Sequence, residues 1–163
     1  MTVGEVCNRQ VVIARRDEHV REAAQRMRDL HVGTLVVVDE HDSRRIPVGL
    51  VTDRDLVIRA LSEATVNVDA LVLGDVMTTE PVAASERDNL WDVIKKMRSF
   101  GVRRLLVVND QGGLEGILSF DDLIDLLAEE LSDLSTLLSR EQKREREANP
   151  PSQASGPARP THA

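Results

Sequence analysis

The 163 residues suffice for one compact domain or for two small repeats sharing a core, and 41% hydrophobic with 30% charged residues is ordinary globular composition. Only 2% are aromatic and Tyr is absent, which removes the stacking platforms of single-stranded nucleic-acid binding, while a net charge of −7 repels a phosphate backbone. The lone Cys7 excludes an internal disulfide, Met1–Arg9 has no apolar stretch of signal-peptide length, and runs such as Leu35–Val38 are too short to span a bilayer, so a soluble cytoplasmic chain with no nucleic-acid or membrane partner is expected.

The chain repeats itself. Val3-Gly4-Glu5-Val6 returns as Leu73-Gly74-Asp75-Val76, and the same offset aligns Val12 with Val82, Met27 with Met97, Leu35 with Leu105 and Val38 with Val108. After a connection three residues shorter in the second copy, Gly49 matches Gly116, Asp55 matches Asp122 and Leu56 matches Leu123. Each copy predicts an extended segment first, Val11–Ala14 or Val82–Ala84. A helix follows, with Val20, Ala23, Ala24, Met27 and Leu30, or Leu90, Val93, Ile94 and Met97, at helical spacing. Two β-branched runs come next, Leu35–Val38 with Val48–Val51, and Leu105–Val108 with Leu114–Leu118, each pair separated by turn residues. A second helix closes each copy, from Asp53 to Leu61 and from Phe120 onward.

The expected fold is therefore α/β (α+β): two tandem β-α-β-β-α repeats packed sheet to sheet with pseudo-twofold symmetry. A unit of about sixty residues is too small to bury its sheet alone. Repeat 1 is placed at 2–62, a linker at 63–72 and repeat 2 at 73–130. A charged C-terminal helix at 131–148 and a disordered, Pro/Ser/Ala/Gly-rich tail at 149–163 follow. Leu127, Leu131, Leu134 and Leu138 form a short heptad-like stripe, which reads either as cover for the domain itself or as a dimer seam or docking surface.

Gly49-Leu50-Val51-Thr52-Asp53-Arg54-Asp55 and its echo Gly116-Ile117-Leu118-Ser119-Phe120-Asp121-Asp122 carry the strongest local signal. In both, a strand ends in a hydroxyl residue, a helix begins, and an Asp stands three residues later. That pattern is a capping box in which Asp replaces the usual Glu or Gln. It also suits a nucleotide, because a helix start offers free N–H groups to a phosphate and a carboxylate can take two hydrogen bonds from a ribose diol.

The repeat order with this motif resembles the cystathionine-β-synthase (CBS) domain. Val76-Met77-Thr78-Thr79-Glu80-Pro81-Val82 and Gly101-Val102-Arg103-Arg104-Leu105-Leu106-Val107-Val108 resemble its other common sequences, and Thr52-Asp53-Arg54-Asp55-Leu56 resembles small stand-alone bacterial CBS pairs. The resemblance covers roughly residues 2–130. It implies two clefts for an adenine nucleotide or adenosyl compound (AMP, ADP, ATP, S-adenosylmethionine or NAD), no required cofactor, a homodimer and a regulated protein partner. By position, Thr52 and Ser119 would meet the ribose-phosphate and Asp55 and Asp122 the ribose hydroxyls. Val12, Ile13, Val82 and Ala83 would wall the adenine, and Arg103 and Arg104 would meet phosphate. Arg54 stands where the second motif has Asp121, so the first cleft is favoured for a highly phosphorylated ligand. Gly33-Thr34 replaces Arg103-Arg104 in the first copy, so the clefts are not expected to be equivalent.

Catalysis has no support in the residue pattern. His19, His31, His41 and His162 show no metal-ligand spacing with one another or with Cys7, and no nucleophile elbow, P-loop or dinucleotide fingerprint occurs. The expectation is a nucleotide-sensing regulatory module. The alternative is a ligand-free dimerisation and interaction module whose junction residues serve only as caps.

Overall fold

A computed structural model describes residues 1–62 and 67–148, so the tail expected at 149–163 and the start of the linker lie outside the described residues. One compact unit, Met1–Leu123, holds both repeats. The first repeat runs through α1 (Val3–Val6), β1 (Ile13–Ala14), α2 (Val20–Leu30), β2 (Thr34–His41), β3 (Arg44–Thr52) and α3 (Asp53–Asp55), which continues as a π-helical segment, Leu56–Leu61. After a 3-10 turn at Val68–Ala70 the second repeat follows: α4 (Leu73–Val76), β4 (Thr78–Thr79), β5 (Ala83–Ser85), α5 (Leu90–Phe100), β6 (Arg104–Val108), β7 (Leu114–Ser119) and α6 (Phe120–Ala148).

The central strands explain why the sequence shows unbroken apolar runs rather than alternation. In β2, Leu35, Val36, Val37 and Val38 are all buried. Leu35 and Val37 pack with Val20, Ala23 and Met27 of α2, whereas Val36 and Val38 meet Leu106 of β6 in a second core between the two sheets. A strand covered on both faces has no polar side to alternate with. The corresponding turns agree too. His31 (φ 53°) ends α2 and Gly101 (φ 65°) ends α5, both left-handed caps whose N–H returns to the last turn of its helix.

The sheets are not each made by one repeat alone. The order β1-β2-β3-β4 joins β4, from the start of the second repeat, to the first repeat's sheet through Gly49↔Thr79 and Leu50↔Thr78. Reciprocally, Asn8 bridges Ile117 of β7, with N–H···O distances of 2.9 and 3.0 Å. The short helices are exchanged in the same way. Val3 and Gly4 donate to the Asp88 and Glu86 carbonyls at 3.0 and 2.9 Å, and Leu73 and Gly74 donate to those of Glu18 and Arg16 at 2.9 Å each. Leu73, Val76 and Met77 are buried within the first repeat's core. At about 1.5–3 kcal/mol for each fully buried apolar side chain, this arm is a substantial part of that core.

The arm also accounts for two of the repeated glycines. A Cβ on Gly4 would lie 2.9 Å from the Glu86 carbonyl oxygen, and one on Gly74 would lie 2.9 Å from the Arg16 side chain. Close approach requires the missing side chain at both places. The helix α6 continues unbroken to Ala148, with no interruption at residue 131, where the composition changes. No helix among the described residues is long and apolar enough to cross a membrane.

Candidate functional site

Each strand-to-helix junction forms a closed capping box. Asp55 accepts through Oδ2 from the Thr52 amide (2.9 Å) and hydroxyl (2.7 Å), while its own N–H donates to Thr52 Oγ1 at 3.2 Å. The second junction repeats this geometry: Asp122 Oδ2 accepts from the Ser119 amide at 2.9 Å and hydroxyl at 2.6 Å, and Asp122 N donates to Ser119 Oγ at 3.1 Å. The leading amide of each helix is used as well, Asp53 N to Gly33 O at 3.1 Å and Phe120 N to Arg103 O at 2.8 Å.

The junctions differ in what remains free. At the first, Arg54 N donates to Asp53 Oδ1 at 2.8 Å, so the amides of residues 53, 54 and 55 are all engaged. Asp55 Oδ1 has Arg59 Nε at 3.8 Å, and Arg59 Nη1 also donates to the Met77 and Val76 carbonyls at 3.0 and 3.3 Å. At the second, Phe120 takes the place of Asp53 and Leu126 that of Arg59. There the Asp121 N–H and Asp122 Oδ1 have no partner among the described residues.

A cleft of about 210 Å³ opens beside this second junction. Gln10, Val11 and Val12 from the first repeat's leading segment, with Val32, Gly33, Thr34 and Val36, line one side; Arg104, Ile117, Ser119 and Asp122 line the other, beside Asn8. Val11, Val12, Val32 and Val36 give the apolar part of the lining, and Ser119 and Asp122 bring the helix start to it. Thr34 Oγ1 is buried without a hydrogen-bond partner among the described residues, an unusual state for a hydroxyl.

Four of the residues singled out from the sequence, Val12, Arg104, Ser119 and Asp122, thus meet in one cleft between the repeats. Thr52 and Asp55 meet each other in the first box, with Arg54 exposed beside them. Arg103 turns to Asp121 (3.3 Å), an exposed pair that offsets the acidic charge of the second motif. Ile13 and Ala83 pack into the core between the sheets. The Val82 and Val12 carbonyls accept from Leu106 and Val36 at 2.9 and 3.0 Å. Gln10 and Thr34, which also line the cleft, and Arg59 beside the first box were not among the residues singled out from the sequence. For Thr34 a signal existed, because it aligns with Arg104 across the repeat.

Burial raises the Cys7 thiol above its ordinary value, against a smaller opposing pull from Arg9. Among the described residues no group of three or more His, Cys, Asp or Glu side chains is placed to hold a metal ion.

Comparison with known proteins follows the same outline. A family model described as CBS domain matches residues 3–62 and again 73–129. An uncharacterized protein of Methanopyrus kandleri is 34% identical over 126 residues, 77% of this chain and 62% of the relative, so the chain spans less than two thirds of that protein. The YlbB protein of Bacillus subtilis is 39% identical over 106 residues, 65% of this chain and 68% of the relative. Among solved structures, a CBS domain protein of Pyrobaculum aerophilum complexed with AMP superposes with a TM-score of 0.66 at 27% identity, covering 76% of this chain and 90% of that one. With both halves matched by the same model and the two sheets back to back, the chain belongs to the CBS domain family and carries the domain as a tandem pair.

Proposed function

We propose that this CBS pair is a cytoplasmic regulatory module, not an enzyme, that binds an adenine nucleotide or adenosyl compound in the cleft between its repeats at the Ser119–Asp122 junction. The carrying observation is the convergence in one cleft of the Ser119–Asp122 capping pair, Arg104 and valines from the other repeat, with Asp122 Oδ1 left without a partner among the described residues. In this reading Asp122 Oδ1 accepts from the ribose hydroxyls. Ser119 and Arg104 meet the phosphate. Val11, Val12 and Val32 flank the adenine, and the orphaned Thr34 hydroxyl gains a partner. The AMP held by the Pyrobaculum relative supports the ligand class.

The Thr52–Asp55 junction, with Arg54, is then the weaker site, because Asp53 and Arg59 already engage its groups, and Arg103 stays paired with Asp121. Ile13, Val82 and Ala83 act as scaffold behind the walls. A homodimer is the proposed assembly. Regulation of a partner requires the ligand to bind two packings of the pair with different affinity.

The test is a thermal-shift panel of AMP, ATP, S-adenosylmethionine and NAD on wild type, Asp122→Ala and Asp55→Ala. Each substitution removes a cap and lowers basal stability by about 0.5–2 kcal/mol. At ligand concentrations of about 100 Kd, wild type gains about 2.7 kcal/mol. Asp122→Ala loses that gain and Asp55→Ala keeps it. Absence of a shift with all four ligands in the wild type favours the other reading, an interaction module whose two closed capping boxes serve stability alone.

A further inference from the structure

The short span Asn8–Val12 crosses from one repeat to the other. At one end Asn8 exchanges two backbone hydrogen bonds with Ile117 of β7, at 2.9 and 3.0 Å. At the other, the Val12 carbonyl accepts from the Val36 amide of β2 at 3.0 Å. Between these anchors Gln10, Val11 and Val12, with Asn8 itself, line the cleft that also holds Ser119 and Asp122. Lifting Asn8 from β7 therefore takes away part of one wall of that cleft.

The Asn8 end is held by the arm that contains it, Thr2–Asn8, and this arm is the weaker of the two. Val3 is buried, and the Val3 and Gly4 amides reach the Asp88 and Glu86 carbonyls. Val6 and Cys7, however, are only half-buried, whereas their counterparts in the second arm, Val76 and Met77, are buried. The second arm pairs two residues with β3, Thr78 and Thr79, where the first has the single bridge at Asn8. Arg59 clasps the second arm through the Val76 and Met77 carbonyls. Beside the first, Arg9 makes ion pairs at the surface, to Glu86 at 3.5 Å and Glu115 at 3.0 Å, and such pairs hold little. An element with fewer buried contacts opens at a lower free energy than the rest of its fold. The looser arm thus adjoins the cleft read as the nucleotide site, and the tighter arm adjoins the junction whose groups are already engaged.

We infer that Thr2–Asn8 is a strap whose docking reports whether the cleft is filled. It lifts locally in the free protein, and a ligand resting on Asn8–Val12 holds it down. The coupling follows because only the docked strap completes the cleft, so the ligand has different affinity for the two states. The inference rests on the nucleotide reading of the Ser119–Asp122 cleft and adds the element that carries its signal outward.

The test is amide hydrogen exchange on the full chain, followed by nuclear magnetic resonance with and without AMP. The Val3, Gly4 and Asn8 amides report the strap, since each bonds across to the second repeat. The Leu73 and Gly74 amides report the second arm in the same way. In the free protein the strap amides exchange within an interval in which Leu73 and Gly74 stay protected. AMP at about 100 Kd slows the strap amides by about tenfold or more, toward a limit of about 100-fold. Exchange of both sets together in the free protein overturns the inference, because the strap then opens only with the whole fold. Unslowed strap amides in a protein whose melting temperature AMP raises also overturn it, and leave the nucleotide reading intact. No rise in melting temperature with AMP, ATP, S-adenosylmethionine or NAD overturns the nucleotide reading, and the strap loses its ligand with it.

Discussion

Arg59 Nε lies 3.8 Å from Asp55 Oδ1 while the same guanidinium donates to the Met77 carbonyl at 3.0 Å, so one side chain ties the first capping box to the arm of the second repeat. The corresponding Asp122 has Leu126 at that position, and its second carboxylate oxygen has no partner among the described residues. Two junctions with the same backbone geometry therefore differ in which groups they engage internally.

Replacing Arg59 by Leu, the residue at the equivalent place in the other repeat, is expected to release Asp55. Calorimetric titration with AMP should move from one equivalent per chain toward two. The lost hydrogen bonds to the Val76 and Met77 carbonyls cost about 1 kcal/mol in a urea melt. An unchanged stoichiometry with the expected stability loss would assign Arg59 to the arm alone.

Thr34→Val removes a buried hydroxyl that has no partner among the described residues while keeping its shape. The free protein is expected to gain about 1 kcal/mol, because an unsatisfied polar group no longer loses its water. Affinity for AMP should fall, by roughly fivefold to tenfold if the hydroxyl makes one ordinary hydrogen bond to the ligand. Melting curves with and without AMP separate the two effects, which run in opposite directions.

Gly116→Ala places a Cβ 2.7 Å from Cys7 Sγ and 2.9 Å from the Asn8 carbonyl oxygen. The backbone contact cannot be relieved by a rotamer change, so the leading segment must shift away from β7. A loss of about 1–3 kcal/mol, the usual scale for overpacking, is expected in chemical denaturation.

Cys7 offers a reading of the same contact by pH. Its raised pKa, caused first by burial, means that the folded state holds the thiol proton more tightly than the unfolded state does. Stability arising from this group is present below the unfolded value, near 9.0, and declines as pH rises through the folded value. Timed alkylation followed by mass spectrometry should show slower modification of Cys7 in the native protein than in urea at the same pH. Equal rates would place the thiol in free solvent.

Much of the fold was legible because duplication writes the same apolar and turn positions twice. Val12 with Val82, Met27 with Met97, and Asp55 with Asp122 fixed the repeat order without any long-range information. The arm exchange was not legible. Nothing local in Val3–Val6 says that its amides bond to Glu86 and Asp88, because that choice is made by the other repeat's surface. The contrast between junctions was hidden for a similar reason. Arg54 and Asp121 favoured the first cleft in the sequence, whereas the proposal for the second cleft turns on Asp53, which caps its neighbour's amide, and Arg59, a full turn beyond the motif. Composition also suggested a boundary near Leu131. No Gly or Pro stands between Phe120 and Ala148, so the helix has no residue at which to stop.

The crossed arms bear on how the molecule comes apart. With Leu73, Val76 and Met77 seated in one half and Val3 and Asn8 held by the other, neither half has a complete surface when separated from its sibling. Cutting the chain in the stretch between Ser62 and Asn67 would yield two pieces that are each deficient yet able to complement one another on mixing. The intact chain should melt in a single cooperative step, because opening one half strips the other of its own closing strand.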